Sequence, residues 1–112
     1  MYGRGMSPEM REPTYFLLVA LLDGPRHGYA IAQAAMELSE GRVRLTAGTL
    51  YGALDRLVSA GLIAEHGEEV VSGRRRRSYV LTEDGRTALR REAQRLRAAA
   101  SVVERRLGTV GA

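Results

Sequence analysis

Four consecutive arginines, Arg74, Arg75, Arg76 and Arg77, are the densest chemistry in the chain. The formal charge is +4, and the other thirteen arginines balance the thirteen Asp and Glu, so the excess sits in this one segment. All seventeen basic residues are Arg and none is Lys. Codon bias in a GC-rich genome accounts for that choice, yet the planar guanidinium fork suits phosphates and guanine edges whatever its origin. Ser72 and Gly73 stand between two β-prone runs, 62–71 and 75–81, which is a hairpin signal. The arginines therefore belong at the tip and the start of the second strand, as a basic wing. Adjacent like charges repel, so a folded chain gains nothing from them unless a polyanion is near. The bland alternative is a solvated charge run, and the hairpin context weighs against it.

Other chemistries are poorly served. There is no cysteine, which excludes disulfides, thiolate metal sites and cysteine nucleophiles. His27 and His66 have no carboxylate cluster at ligand spacing, and His27 suits a capping or surface role. No serine lies in a nucleophile elbow and no Gly-rich phosphate loop exists. The expectation is a non-enzyme with no metal and no cofactor. The longest apolar run, 15–22, is far short of the roughly 18 residues a membrane span needs. No opening segment has the pattern of a secretory signal. The expected location is cytoplasmic, with nucleoid association when DNA is bound.

A second constellation lies at 46–63, TAGTLYGALDRLVSAGLI. Thr46 is a suitable N-cap and Gly61 a suitable left-handed C′ residue. Ala47, Leu50, Leu54, Leu57 and Val58 recur at helical spacing and form an inward stripe. Gly48, Thr49, Gly52, Asp55, Arg56 and Ser59 fall outside, with Tyr51 at the border. An ordinary surface helix carries long charged side chains there. This one carries small residues and a single Arg, which lets it lie close against another surface.

The remaining elements must position these two sites. Residues 1–12 read as a flexible arm, with Arg4 and Arg11 within reach of a polyanion. Pro13 opens a helix that is apolar nearly all round from Tyr15 to Leu22 and is ended by Gly24 and Pro25. His27 to Leu38 forms the second helix, with Ile31, Ala34, Ala35 and Leu38 inward. Gly41 closes it, and 42–45 reads as a very short strand or an extended loop. Two helices joined by about seven residues suit a helix-turn-helix. Thr82 caps a last helix reaching Leu107, where Leu89, Ala93, Leu96, Ala100, Val103 and Leu107 follow a heptad seam. Together with Tyr15, Val19 and Leu22 this seam predicts a dimer interface, the alternative being a helix packed on its own domain. The expected fold is mainly α with a small β-hairpin: a winged helix-turn-helix over 13–82, a dimerisation helix over 83–107 and a frayed tail at 108–112.

These segments resemble the PadR family of bacterial transcriptional regulators, short branch. The resemblance runs from Arg11 to about Leu96. Its pieces are Arg11-Glu12-Pro13-Thr14, His27-Gly28-Tyr29-Ala30-Ile31, Gly48-Thr49-Leu50-Tyr51-Gly52-Ala53-Leu54, Arg56-Leu57, Gly61-Leu62-Ile63, Gly73, and Tyr79-Val80-Leu81-Thr82 with Gly85. It implies a homodimeric repressor on double-stranded operator DNA, released by a small-molecule effector that is phenolic or drug-like in many members. The expected DNA-binding residues are Gly28, Tyr29, Thr46, Gly48, Thr49, Tyr51, Gly52, Arg56 and Arg74 to Arg77. Among these, Arg56 is the good guanine reader and Gly28 lets a phosphate approach the second helix. Many members have Pro where this chain has Gly52, and the chain has no Trp for a flat drug pocket. The competing expectation is a dimeric small-molecule-binding or protein-interaction module without specific DNA binding.

Overall fold

The computed structural model describes residues 10–108. Most of the flexible arm and all of the tail beyond Gly108 therefore lie outside the described residues. The elements are α1 (Glu12–Val19), β1 (Arg26–His27), α2 (Gly28–Leu38), α3 (Ala47–Ser59), β2 (Ile63–Val71), β3 (Arg74–Leu81) and α4 (Glu83–Leu107). The strands form one antiparallel sheet in the order β1-β3-β2. This is the expected winged helix-turn-helix with a long final helix. The core gathers Leu17, Leu18, Ile31, Leu50, Leu54 and Ile63 around Tyr79 of the central strand, which is only 1% exposed.

Each helix ends where its sequence provides a substitute for the next turn. His27 caps α2, its Nδ1 accepting the Ala30 N–H at 3.4 Å. Thr46 caps α3 by accepting from Thr49 N, and Thr82 caps α4 by accepting from Gly85 N. At the end of α3, Gly61 N donates to Val58 O and Leu62 N to Leu57 O, the paired bonds of a Schellman turn, with Gly61 at φ +79°. The chain between α2 and α3 is anchored at Ser39, which is buried. Its Oγ donates to Met36 O and accepts the Val43 N–H at 2.9 Å, so Val43 is drawn into the core.

Five expectations need correction. First, α1 stops at Val19, not at Gly24. The next N–H groups bond three residues back, Leu21 to Leu18 and Leu22 to Val19, and Arg26 Nε caps the Ala20 carbonyl at 2.8 Å. Second, Arg26–His27 is a strand, a two-residue edge pairing Tyr79 and Ser78. Nothing so short alternates visibly in sequence. Third, of the two alternatives for 42–45 the short strand is not formed and the loop remains, since these residues pair with no strand. Fourth, Ala47 is exposed, because the first turn of α3 precedes the point where the core begins at Leu50. Fifth, Leu38 lies on the α2 stripe but is exposed, opening onto a cavity of about 340 Å³ lined by Ala20, Asp23 and Arg26 of the turn after α1.

In α4, Leu89 packs into the domain core, and Ala93 is half-buried. Glu92 is also buried, with its side chain only 8% exposed. Arg95 donates to it from Nε at 3.1 Å, and this hydrogen bonding holds the carboxyl below the usual carboxylate range.

Gly85 sits where α4 passes over the Leu62 carbonyl, and a Cβ there would collide with that oxygen. Gly85→Ala should destabilise the fold by about 3 kcal/mol through overpacking against backbone, read as a lower urea midpoint with an unchanged slope. Glu92 supplies a pH test. A depressed folded pKa gives stability that is complete above the ordinary value of 4.5 and is lost as pH falls through the lower, folded value. The melting-temperature difference between the natural protein and Glu92→Gln should therefore be constant from about pH 7 to about pH 5 and shrink towards about pH 3. A difference that stays constant throughout would refute the assignment.

Candidate nucleic-acid interface

The outward face of α3 is as small in the structure as in the sequence. Gly48, Thr49, Asp55, Arg56 and Ser59 are exposed, and Gly52 is half-buried. A Cβ on Gly48 would meet nothing within 4 Å. One on Gly52 would meet only Arg56 Nη1, at 3.7 Å. The Arg56 guanidinium therefore lies back over Gly52, towards the N-terminal end of the helix, as helical side chains do. Thr46 Oγ1 donates to Thr49 Oγ1 at 3.1 Å, which leaves the Thr49 hydroxyl hydrogen free to donate outward. The face thus presents one planar cation, one carboxylate, the hydroxyls of Thr49 and Ser59, and two glycines that leave little relief.

Tyr51 borders this face and rests on α2. A Cβ on Gly28 would lie 2.7 Å from Tyr51 Oη and 2.8 Å from Tyr51 Cε1. Gly28 is buried under that ring, and its missing side chain makes room for Tyr51. Tyr29 is exposed, and its hydroxyl accepts from Gln33 Nε2 at 3.2 Å.

The wing is a regular hairpin with Ser72 and Gly73 both at positive φ, 53° and 77°, the backbone of a type I′ turn. All four arginines lie within β3, so the basic segment is strand and not loop. His66 and Gly67 form a bulge opposite Ser78. Strand alternation divides the charges between two faces. Arg75 and Arg77 share the Tyr79 face with Glu65 and Glu68, whereas Arg74 and Arg76 share the other with Ser78 and Glu69. On the first face Arg77 Nη1 donates to Glu65 Oε2 and Arg75 Nη1 to Glu68 Oε1, each at 3.3 Å. On the second, Ser78 Oγ donates to Glu69. Arg74 and Arg76 form no ion pair among the described residues. Four arginines against three glutamates leave the hairpin a formal charge of only +1. Tyr79 and then Glu65 raise the pKa of Arg77 above its ordinary value, and Asp55 of α3 adds to the effect.

The glutamates were the part of this site that composition hid. A two-residue turn fixes the register, and counting back from Val71 and Arg74 places Glu69 opposite Arg76 and Glu68 opposite Arg77. Among the described residues no group of His, Asp or Glu could hold a metal, and no helix is long and apolar enough to cross a membrane.

The sequence pattern of the Transcriptional regulator PadR-like family matches residues 17–91. The chain belongs to that family. Its members are regulators of transcription and not enzymes. A PadR family transcription regulator from Clostridium difficile superposes with a TM-score of 0.68 at 31% identity, covering 84% of this chain and 96% of that one. A transcriptional regulator of Mycobacterium tuberculosis, Rv3488, is 40% identical over 74 residues, 66% of this chain. The chain spans 65% of the length of Rv3488 and 21% of a Streptomyces fradiae transposon protein to which it is 48% identical. Bacillus subtilis PadR, in complex with operator DNA, shares the fold at a TM-score of 0.58 and 23% identity over 68% of this chain and 43% of its own.

Gly52 separates a structural from an approach role for the α3 face. Gly52→Ala meets no clash and should stabilise the helix by about 0.5–1 kcal/mol. If the face approaches DNA, the same change should weaken binding to the protein's own promoter roughly tenfold. Higher stability with unchanged binding would remove this face from the interface.

Proposed function

We propose that this regulator is a repressor that binds a two-fold symmetric DNA operator as a homodimer and leaves it when a small molecule binds. The observation that carries the reading is the exposed, small-residue face of α3 with Arg56 folded over Gly52. Two such helices would enter successive major grooves about 34 Å apart. Arg56 would read guanine, and Thr49 would donate to a base edge or a phosphate. Tyr51, Tyr29 and the wing arginines would bond the flanking backbone. Operator DNA bound to the Bacillus subtilis relative is consistent with this use of the shared fold.

The homodimer rests on α4. Beyond Ala93 its residues are exposed, apart from the half-buried Ser101, although the apolar seam continues. Leu96 is 42% exposed and Leu107 83%. A second copy packing on this seam would bury them, with Tyr15, Val19 and Leu22 of α1 at its edge. Leu89, at 6% exposed, belongs to the domain core and would contribute little directly. An effector would enter the cavity of about 390 Å³ between α1 and α4, lined by Met10, Tyr15, Phe16, Glu92, Arg95 and Leu96, and would change how α4 sits on the domain.

The test is binding to a duplex from the protein's own promoter at two salt concentrations, beside a scrambled duplex. Tight binding to the promoter alone, surviving moderate salt, is expected. Equal and salt-labile binding to both would leave only an electrostatic DNA binder. No binding to either at low salt would defeat the reading in favour of a protein-interaction module built on the α4 seam. Arg74→Ala with Arg76→Ala should flatten the logarithmic salt dependence by roughly 0.9 for each phosphate that is no longer neutralised. An unchanged slope would remove these two arginines from the interface.

A further inference from the structure

The wing carries four arginines and yet is nearly neutral. On its Tyr79 face the charges alternate along one ladder: Glu65, Arg77, Glu68, Arg75. Each ion pair is a single contact at 3.3 Å, made by one Nη1 and one carboxylate oxygen. Neither uses the bidentate geometry that makes Arg–carboxylate pairs strong. The partners are half-exposed to exposed, with side-chain accessibilities of 51% and 52% for Arg77 and Glu65. Such pairs contribute little to folding and exchange readily. Each takes up one of the five N–H donors of its guanidinium and offsets positive charge that a phosphate would otherwise meet.

We propose that Glu65 and Glu68 are positioning residues that restrain DNA binding: they mask Arg77 and Arg75 from phosphates, so that the wing adds little to binding on arbitrary sequence. This inference rests on the DNA-binding reading above. Non-specific affinity comes almost wholly from phosphate contacts, so masking them lowers it directly. A non-specific complex lets the wing choose whichever phosphates it can reach. A complex seated by α3 in the groove fixes the wing's position and adds base contacts that the glutamates do not affect. Masking therefore costs the scrambled duplex more than the promoter, and discrimination increases. Arg74 and Arg76, on the opposite face and in no ion pair among the described residues, would remain available to phosphates throughout.

The experiment compares the natural protein with Glu65→Gln/Glu68→Gln on the promoter and scrambled duplexes across a salt series. A control, Glu37→Gln/Glu104→Gln, changes the net charge equally outside the wing. The ladder variant should bind the scrambled duplex roughly fivefold or more tighter at low salt, with a steeper slope by roughly 0.9 per additional phosphate neutralised, and its improvement on the promoter should be smaller. An unaltered slope and affinity would overturn the proposal, and so would weaker binding or an equal improvement in the control. A fall in melting temperature alone would mean that the pairs are only structural. If the natural protein bound neither duplex, both the ladder and the DNA reading would fall, whereas specific binding by the natural protein with no change in the variant would remove the ladder alone.

Discussion

Three functional elements meet at one hydrogen-bonded node. Thr82 N donates to Leu62 O at 3.1 Å, Thr82 Oγ1 donates to Gly61 O at 2.7 Å, and the same oxygen accepts from Gly85 N at 2.9 Å. Gly85 has no side chain because the Leu62 carbonyl occupies the space a Cβ would need. Gly61 ends α3, Leu62 leads into β2, and Thr82 opens α4. The third helix, the wing and the last helix are thus held to a few shared backbone atoms, and none can swing without breaking one of these bonds. If α4 is where two copies join, this node converts the geometry of that joint into the spacing of two α3 helices. Under the proposed reading it would also give an event at the α1–α4 cavity a short path to the DNA-facing surface, through one element boundary and without a long chain of side chains.

The node also explains why the polar face of α3 can be so bare. Leu50, Leu54 and Leu57 anchor the helix from below, and Tyr51 rests on Gly28 of α2. The helix is fixed on the inside and at both ends, so its outer face is free of structural duty. Gly48 and Gly52 lower helix propensity by about 1 kcal/mol each relative to Ala, a cost that the buried leucines can offset.

Much of this was legible in sequence because several signals coincide. Thr46 with Gly61, Ser72-Gly73 and Thr82 with Glu83 each combine a start or stop residue with the correct hydrophobic period, and all three elements formed as expected. The unseen features are those whose determinants are tertiary. β1 is a strand only because β3 offers it an edge. Gly28 answers to a tyrosine 23 positions away. Leu38 follows the helical period faithfully but finds no neighbour to cover it. The charge of the wing was misjudged for a different reason. A run of like residues draws attention to its own sum, whereas a hairpin sums across its two strands.

Under the proposed reading, the near-neutral wing and the single base-reading cation limit what one protomer can achieve. One good bidentate base contact is worth about 1–3 kcal/mol of discrimination, while a regulator must usually favour its site by about 4–10 kcal/mol over non-specific DNA. One Arg56 cannot reach that range. Two copies double the base contacts and add the requirement that both grooves fit at once. Under the same reading, the apolar seam left open on α4 would supply the means of joining them. A strongly basic wing would raise affinity without raising discrimination, since phosphates carry no sequence. Glutamates opposite the arginines and an unpartnered seam on α4 thus answer the same constraint: under the proposed reading, selectivity comes from pairing two modest readers, and added charge would work against it.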